Sequence, residues 1–224
     1  SLKVSANNGL AIQVQAPAAC KRYAGIYLSN IKVADSPDWL KNKLQMIGLK
    51  PINNVVDITN YVCHSLGQPM HAFDFAKVQG AQINVRNAKE GEQLVTLDGI
   101  TRKLLTTDLI IADAQVPMCL AGVMGGLNAC VDTNTQSIFL ESAYFDAVSV
   151  RKSAKVHNLK SDSSFRFERG TDPQMPVVAL KKAISLITEI TSICSKQTKI
   201  NTGWSGQTKG LEHLNLAMTS LTIR

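Results

Sequence analysis

Glu141 closes an apolar run, Ser137-Ile138-Phe139-Leu140, and is followed by the small pair Ser142-Ala143 and the aromatic pair Tyr144-Phe145. A carboxylate in that setting is either a buried acceptor kept for a ligand or a solvated strand end, and the residues alone leave both open. His71 lies in Gly67-Gln68-Pro69-Met70-His71-Ala72-Phe73-Asp74, where Pro69 predicts a chain bend. A histidine there is either packed and hydrogen-bonded or available to chemistry near neutral pH. Gly122, Gly125 and Gly126 let backbone amides approach a ligand closely and permit tight turns. Their Gly-x-x-Gly-Gly pattern is neither a Walker loop nor a dinucleotide fingerprint, and an ordinary glycine-rich loop is the competing reading. Thr59 and Asn60 offer hydrogen-bonding groups on a predicted helix, where a polar face competes. Ser161 and Ser163 lie in Ser161-Asp162-Ser163-Ser164-Phe165-Arg166-Phe167-Glu168-Arg169-Gly170. No Gly-x-Ser-x-Gly elbow surrounds them, so neither reads as a nucleophile. Arg166, Glu168 and Arg169 read as a scaffold ion-pair network. Lys50, just before Pro51, carries charge without the planar fork of arginine.

The elements that must position these groups are legible in the pattern. Leu10 to Val14 and Tyr23 to Ile31 read as strands. Ser36 is expected to cap a helix with Pro37 at its first position and Gly48 at its end, burying Trp39, Leu40, Leu44 and Ile47. A second helix is expected from about Asn53 to Leu66, closed by Gly67, with Val55, Val56, Val62 and Leu66 inward. Strands follow: Gln82 to Val85, then Leu94 to Leu97 and Ile100 to Leu104 around a two-residue Asp98-Gly99 turn. Leu109 to Ala112, Met118 to Ala121 and Ser137 to Leu140 complete the set, with Glu141 at the C-terminal end of the last. Asp146 is expected to cap a helix to about Val156. Asp172-Pro173 opens the longest helix, to about Ser195, with Val177, Leu180, Ile184, Ile187 and Thr191 or Cys194 along one face. Strands in the middle with helices at both ends give an α+β fold, a mixed sheet or sandwich core with flanking helices.

The chain has 224 residues, enough for a substantial core, and 45% of them are hydrophobic. No apolar run approaches the ~20 residues that cross a bilayer, and no signal peptide is visible, so the expected compartment is the cytoplasm. The five cysteines are scattered without a Cys-x-x-Cys pair, which argues against a zinc knuckle or a disulfide framework. A net charge of +7 suits a polyanionic partner such as RNA. Aromatics at 5% argue against a base-stacking platform. The chain starts at Ser1 without a methionine and stops at Arg224, and it is read as a fragment of a larger protein.

Four segments in this order carry a resemblance. They are Gly67 to Asp74, Ala121 to Gly126, Leu140 to Phe145 and Ser161 to Gly170, strengthened by Val55-Val56-Asp57-Ile58-Thr59-Asn60-Tyr61. Together they resemble the β subunit of bacterial phenylalanyl-tRNA synthetase, in its paired B3/B4 module, over roughly residues 20 to 200. The resemblance implies residues 1–19 as a preceding linker or strand, 20–200 as an editing module and 201–224 as a linker onward. It implies hydrolysis of tyrosine misattached to tRNA(Phe). Glu141 would receive the phenolic hydroxyl, and a backbone amide near Gly122 and Gly125 would face it. His71 would sit near the ester, with Pro69, Thr59 and Asn60 beside it and Ser161 and Ser163 lining the pocket. Lys50 stands where many relatives carry arginine for the tRNA 3′ end. The implied partners are a catalytic α subunit, in an (αβ)2 assembly, and tRNA(Phe). ATP and Mg2+ serve the parent enzyme; no cofactor is expected in this segment, which should not aminoacylate alone.

Two functions compete on these residues: hydrolytic editing, and a scaffold that docks tRNA with a degenerate pocket, for which Lys50, Ser161 and Ser163 are the departures. A free-standing relative acting in trans is a third, against which the cut ends argue.

Overall fold

The computed structural model describes residues 10–191 and the backbone of one further strand, Thr202–Ser205. In chain order the elements are β1 (Ala11–Val14), β2 (Cys20–Ser29), α1 (Asp38–Met46), α2 (Asn54–Leu66), β3 (Met70–Asp74), β4 (Gln82–Asn87), β5 (Gln93–Val95), β6 (Thr101–Lys103), β7 (Leu109–Ala112), β8 (Pro117–Leu120), β9 (Met124–Gly125), β10 (Ser137–Phe145), α3 (Ala147–Val156), α4 (Asp162–Phe167), α5 (Met175–Ile190) and β11 (Thr202–Ser205). The fold is α+β. One sheet has the order β11-β2-β10-β3, a second the order β1-β4-β7-β8-β9, and β5 pairs with β6.

Strand β10 organises the molecule. It pairs antiparallel with β2 on one side and β3 on the other. Successive side chains point to opposite faces, so one strand serves two cores. Ile138 and Leu140 join Ala24, Ile26, Leu28 and the helical residues Leu40, Ile58, Val62 and Ile184. Phe139, Ala143 and Phe145 join Tyr23, Phe73 and residues of the second sheet, Ile83, Ile110, Met118 and Leu120 among them. The result is three layers: α1, α2 and α5, then the four-stranded sheet, then the five-stranded sheet.

Several local expectations change in the folded chain. Ser36 does not cap α1; its hydroxyl donates to Asp57 Oδ2 at 2.6 Å, and Pro37 occupies the N-cap. That bond ties the helix entry to α2, where Asp57 Oδ1 also accepts the Ile52 amide. Trp39 and Ile47 stay exposed, because α1 covers the core with Leu40 and Leu44 alone. Val56 is half-buried outside the core, while Leu66, also half-buried, packs against it. Asn53 caps α2 through two amide hydrogen bonds, and Gly67 ends it in the left-handed conformation. The expected two-residue hairpin turn is longer. Asp98 accepts from Thr96 Oγ1 and the Ile100 amide and pairs with Arg102, holding a loop from Thr96 to Ile100. Helix α5 begins at Met175, after Asp172 has capped the preceding turn, and buries Leu180, Ile184 and Ile187 as the periodicity requires. Its expected extension to Ser195, with Cys194, lies outside the described residues, as do 1–9 and most of 201–224. Strands β1 and β11, on either side of residues 20–200, are hydrogen-bonded into the two sheets. Among the described residues no helix is long and apolar enough to cross a membrane.

Gly25 sets the shape of the middle layer. The Phe139 ring lies directly over it, and a Cβ there would overlap the ring. Phe139 is stacked between Tyr23 (centroids 6.5 Å apart) and Phe73 (6.3 Å), so it has no free direction of retreat. Gly25→Ala is expected to cost about 1–3 kcal/mol in urea unfolding. Trimming the ring in Gly25→Ala/Phe139→Leu should make the two effects less than additive; strict additivity would show that ring and glycine do not share this space.

Candidate active site between the sheets

The register of β10 puts Glu141 opposite His71 on β3 and opposite Gly25 on β2. Glu141 is therefore an interior strand residue, with β10 continuing to Phe145, and not a strand terminus. His71 is likewise within a strand rather than at a bend. Pro69, which lacks an N–H, is tolerated because it precedes the edge strand β3. Gln68 fastens this junction: its buried Nε2 donates to Pro69 O at 3.1 Å and Ala143 O at 2.9 Å. Glu141 and His71 thus point from the same face of the sheet toward the second sheet.

Glu141 is buried and His71 half-buried, and both carry an unpaired polar atom. Glu141 is 5% exposed and its Oε2 has no hydrogen-bond partner. Burial pushes its carboxyl up to about 8. His71 keeps a partly exposed edge, yet its Nε2 is enclosed and unpartnered. Burial pulls its imidazole down to about 4. Glu141 Oε2 and His71 Nε2 are not bonded to each other, and burial favours the neutral form of both groups. His71 stands edge-on to Phe73, 4.6 Å between ring centres, at the end of the Tyr23–Phe139–Phe73 stack.

Gly125 forms the opposite wall. A Cβ built on it would lie 2.5 Å from His71 Cε1, 2.8 Å from Nε2 and 3.3 Å from Leu97 Cδ1. The absence of a side chain is what lets the imidazole lie against this backbone. Leu97, at the tip of the β5–β6 hairpin, is fixed there by its amide, which donates to Gly125 O at 3.0 Å. Cys119 pairs with Gly125 across β8 and β9, and the Glu141 charge is felt at Cys119, Cys20 and Tyr23.

The structure thus brings together His71, Glu141 and Gly125, with Pro69 leading into β3. The other expected residues stand differently. Gly122 adopts φ 71° and packs against Val150, Phe145 and Phe167, a turn position away from His71. Ser161 caps α4 by accepting the Ser164 amide and donates to Val123 O at 2.6 Å, so its hydroxyl is committed. Ser163 is half-buried in the first turn of α4. Thr59 donates to Val56 O at 2.7 Å within α2, on the helical side of the sheet, and Asn60 is half-buried on the same helix. Lys50 is exposed in the loop between α1 and α2. Arg166 bonds Asp162 and His64 Nδ1, and Arg169 pairs with Glu168 while covering the Phe165 ring, as a scaffold network. A separate groove of about 380 Å3 between residues 30–33 and 133–136 contains none of the site residues.

Tyr23, Gln68, Cys119 and Leu97 escaped the sequence reading. Only Tyr23 carried a signal: it alternates with Gly25 and Tyr27, and a glycine inside a strand marks close approach.

The opposed shifts give a stability signature. Glu141 binds its proton more tightly folded than unfolded, so its contribution is complete below about 4.5 and lost as pH rises through about 8. His71 is the reverse: its contribution is complete above 6.5 and lost as pH falls through about 4. Glu141→Gln should therefore be stabilised relative to the parent chain at pH 9 by on the order of a few kcal/mol, with that gain absent at pH 4. Urea unfolding at both pH values reads this; an equal difference at the two would place the carboxyl in solvent.

Comparison with known proteins agrees with this architecture. Residues 19–192 match the B3/4 domain family. The phenylalanine–tRNA ligase beta subunit of Porphyromonas gingivalis is 53% identical over 180 residues, 80% of this chain and 22% of that protein. The corresponding subunit of Protochlamydia amoebophila is 47% identical over 199 residues, 86% of this chain and 25% of that protein. The chain thus spans about a quarter or less of the length of these relatives. In fold it is similar to an N-terminal fragment of the phenylalanyl-tRNA synthetase beta-subunit from Pyrococcus horikoshii, with a TM-score of 0.58, 10% identity, and coverage of 100% of this chain and 63% of that one. Matched by the family model over residues 19–192, and 53% and 47% identical to these two subunits, the chain belongs to the B3/4 domain family carried by phenylalanine–tRNA ligase β subunits.

Proposed function

We propose that this chain is the editing module of a phenylalanine–tRNA ligase β subunit and hydrolyses tyrosine esterified to tRNA(Phe). The observation that carries the reading is Glu141, a buried carboxyl whose Oε2 has no partner. A protein interior leaves such a group unpaired only at a cost, and a ligand hydroxyl removes that cost. Tyrosine has the hydroxyl and phenylalanine does not. A synthetic pocket built for phenylalanine rejects an added hydroxyl by only about a hundredfold, whereas a site that bonds the hydroxyl discriminates in the other direction. Phenylalanine in this site leaves the carboxyl unsatisfied, a difference of about 1–3 kcal/mol.

His71 is then a positioning group. An imidazole held near 4 is a weak base, and an aminoacyl ester is already activated, so orienting water and ester is the useful contribution. Gly125 leaves the space in which the His71 imidazole lies and so fixes the orientation of that ring. Pro69 leads the chain into His71, whereas Thr59 and Asn60 lie on the helical side of the sheet and Ser161 and Ser163 belong to α4, so no ligand contact is assigned to these four. Lys50 and the net charge of +7 attract the tRNA 3′ end. In this reading the module acts in the cytoplasm within an (αβ)2 enzyme. ATP and Mg2+ serve aminoacylation on the catalytic α subunit and are not used here.

One observation favours the scaffold reading: the Thr59 and Ser161 hydroxyls are both bonded within the fold. A single experiment separates the two. The complete α–β enzyme is assayed for hydrolysis of Tyr-tRNA(Phe), with Glu141→Ala alongside. Editing predicts at least a tenfold loss of tyrosine-over-phenylalanine discrimination in the variant, with aminoacylation intact. No hydrolysis by the parent enzyme selects the scaffold.

The pH dependence follows from the same carboxyl. A phenol donating to Glu141 favours its ionised form, so tyrosine binding should tighten as pH rises toward about 8 and release a proton below that value. Glu141→Gln, which keeps a carbonyl acceptor, should bind with no such pH slope. Calorimetry in buffers of different ionisation enthalpy measures the proton count; equal slopes in both proteins would assign the proton elsewhere.

A further inference from the structure

Tyr23 is fully buried, and its hydroxyl has no hydrogen-bond partner. Strand β2 places it two residues from Gly25, the partner of Glu141, and therefore on the same face as that carboxyl. Such diagonal neighbours in an antiparallel pair lie within reach of long side chains. The ring stacked on Phe139 sets the direction of the phenol, since Phe139 in turn covers Gly25.

The titratable groups facing Glu141 are His71 from β3, Cys20 and Tyr23 from β2 and Cys119 from β8. His71 is turned against Gly125 and Phe73. Cys20 directs its thiol at Arg22 O, and Cys119 at Leu120 O and Met124 O. Thiols are weak donors in any case. The Tyr23 hydroxyl, a strong donor without an acceptor, thus shares a sheet face with Glu141 Oε2, an acceptor without a donor; Gln68 Oε1, His71 Nε2 and Ser142 Oγ are likewise unpartnered.

We propose that Tyr23 is the positioning residue of Glu141: its hydroxyl donates to the ionised carboxylate, fixing one oxygen and leaving the other for a ligand hydroxyl. Rotation of Glu141 about its side-chain torsions is the movement that joins them. The protein's own phenol then supplies half of the hydrogen bonding, and a tyrosine ligand supplies the rest. Phenylalanine leaves the second oxygen bare. The inference deepens the editing reading and rests on it for its functional half; the Tyr23–Glu141 contact stands or falls independently.

The test uses the full-length protein, 13C-labelled at glutamate carboxyls, with the Glu141 resonance assigned by its loss in Glu141→Gln. Tyr23→Phe removes only the hydroxyl. Losing a donor to the charged form should raise the Glu141 titration midpoint by about one pH unit. The pH profile of Tyr-tRNA(Phe) hydrolysis should move the same way, and discrimination against phenylalanine should fall about tenfold. A purely packing role for Tyr23 would leave the midpoint unmoved, and that result overturns the proposal. If the midpoint moves but the parent enzyme does not deacylate Tyr-tRNA(Phe), the contact is upheld and the editing reading fails. Should Tyr23→Phe not fold, the Tyr23 Cζ resonance of the parent protein reads the same contact. It must titrate with the Glu141 midpoint and lose that response in Glu141→Gln; a flat Cζ shift overturns the proposal.

Discussion

The antiparallel pairing of β10 between β2 and β3 is the constraint on which the rest depends. Backbone hydrogen bonds fix its register, and the period of two along a strand fixes which residues share a face. A slip of one residue would send Phe139 and Glu141 to the helical side and Ile138 and Leu140 to the other. The apolar residues on both faces forbid that slip. The hydrophobic cores therefore hold a polar group where its own solvation energy would not.

The aromatic ladder Tyr23–Phe139–Phe73–His71 gives the site its floor. It exists because two glycines are missing side chains at the right places. Gly25 yields its space to Phe139, and Gly125 yields its space to His71. Rings of this size are rigid and carry large buried area, so the floor does not adapt to what lies above it. A rigid floor is what the proposed editing reading requires, since its two ligands differ by a single oxygen atom.

Two ionisable neighbours are driven toward neutrality by the same cause. Desolvation disfavours the charged carboxylate and the charged imidazolium alike, moving their pKa values in opposite directions. An ion pair between Glu141 and His71 would have cancelled both effects and satisfied both groups internally. Turning His71 onto Gly125 prevents it, and leaves a carboxyl with unused hydrogen-bonding capacity.

Local chemistry wrote several elements plainly. Asn53 and Gly67 bound α2, Asp146 caps α3, and the spacing of Leu180, Ile184 and Ile187 orients α5, because each effect acts within a few residues. The order of the four motifs likewise identified the family and drew attention to His71, Glu141 and Gly125. The sequence by itself therefore determined the elements, the fold class and the chemical inventory. Tertiary structure decided how that inventory is used. Ser36 reads as a helix cap until Asp57, far along the chain, takes its hydroxyl. Ser161 shows no partner in its own segment beyond the helix it caps, yet its hydroxyl donates to Val123 O, 38 residues away. Glu141 reads as a strand end until β2 and β3 close on both sides of it, and Tyr23 reads only as the start of a strand until its hydroxyl is found buried and unbonded. Burial and partnership are sums over groups distant in sequence, so no local pattern contains them.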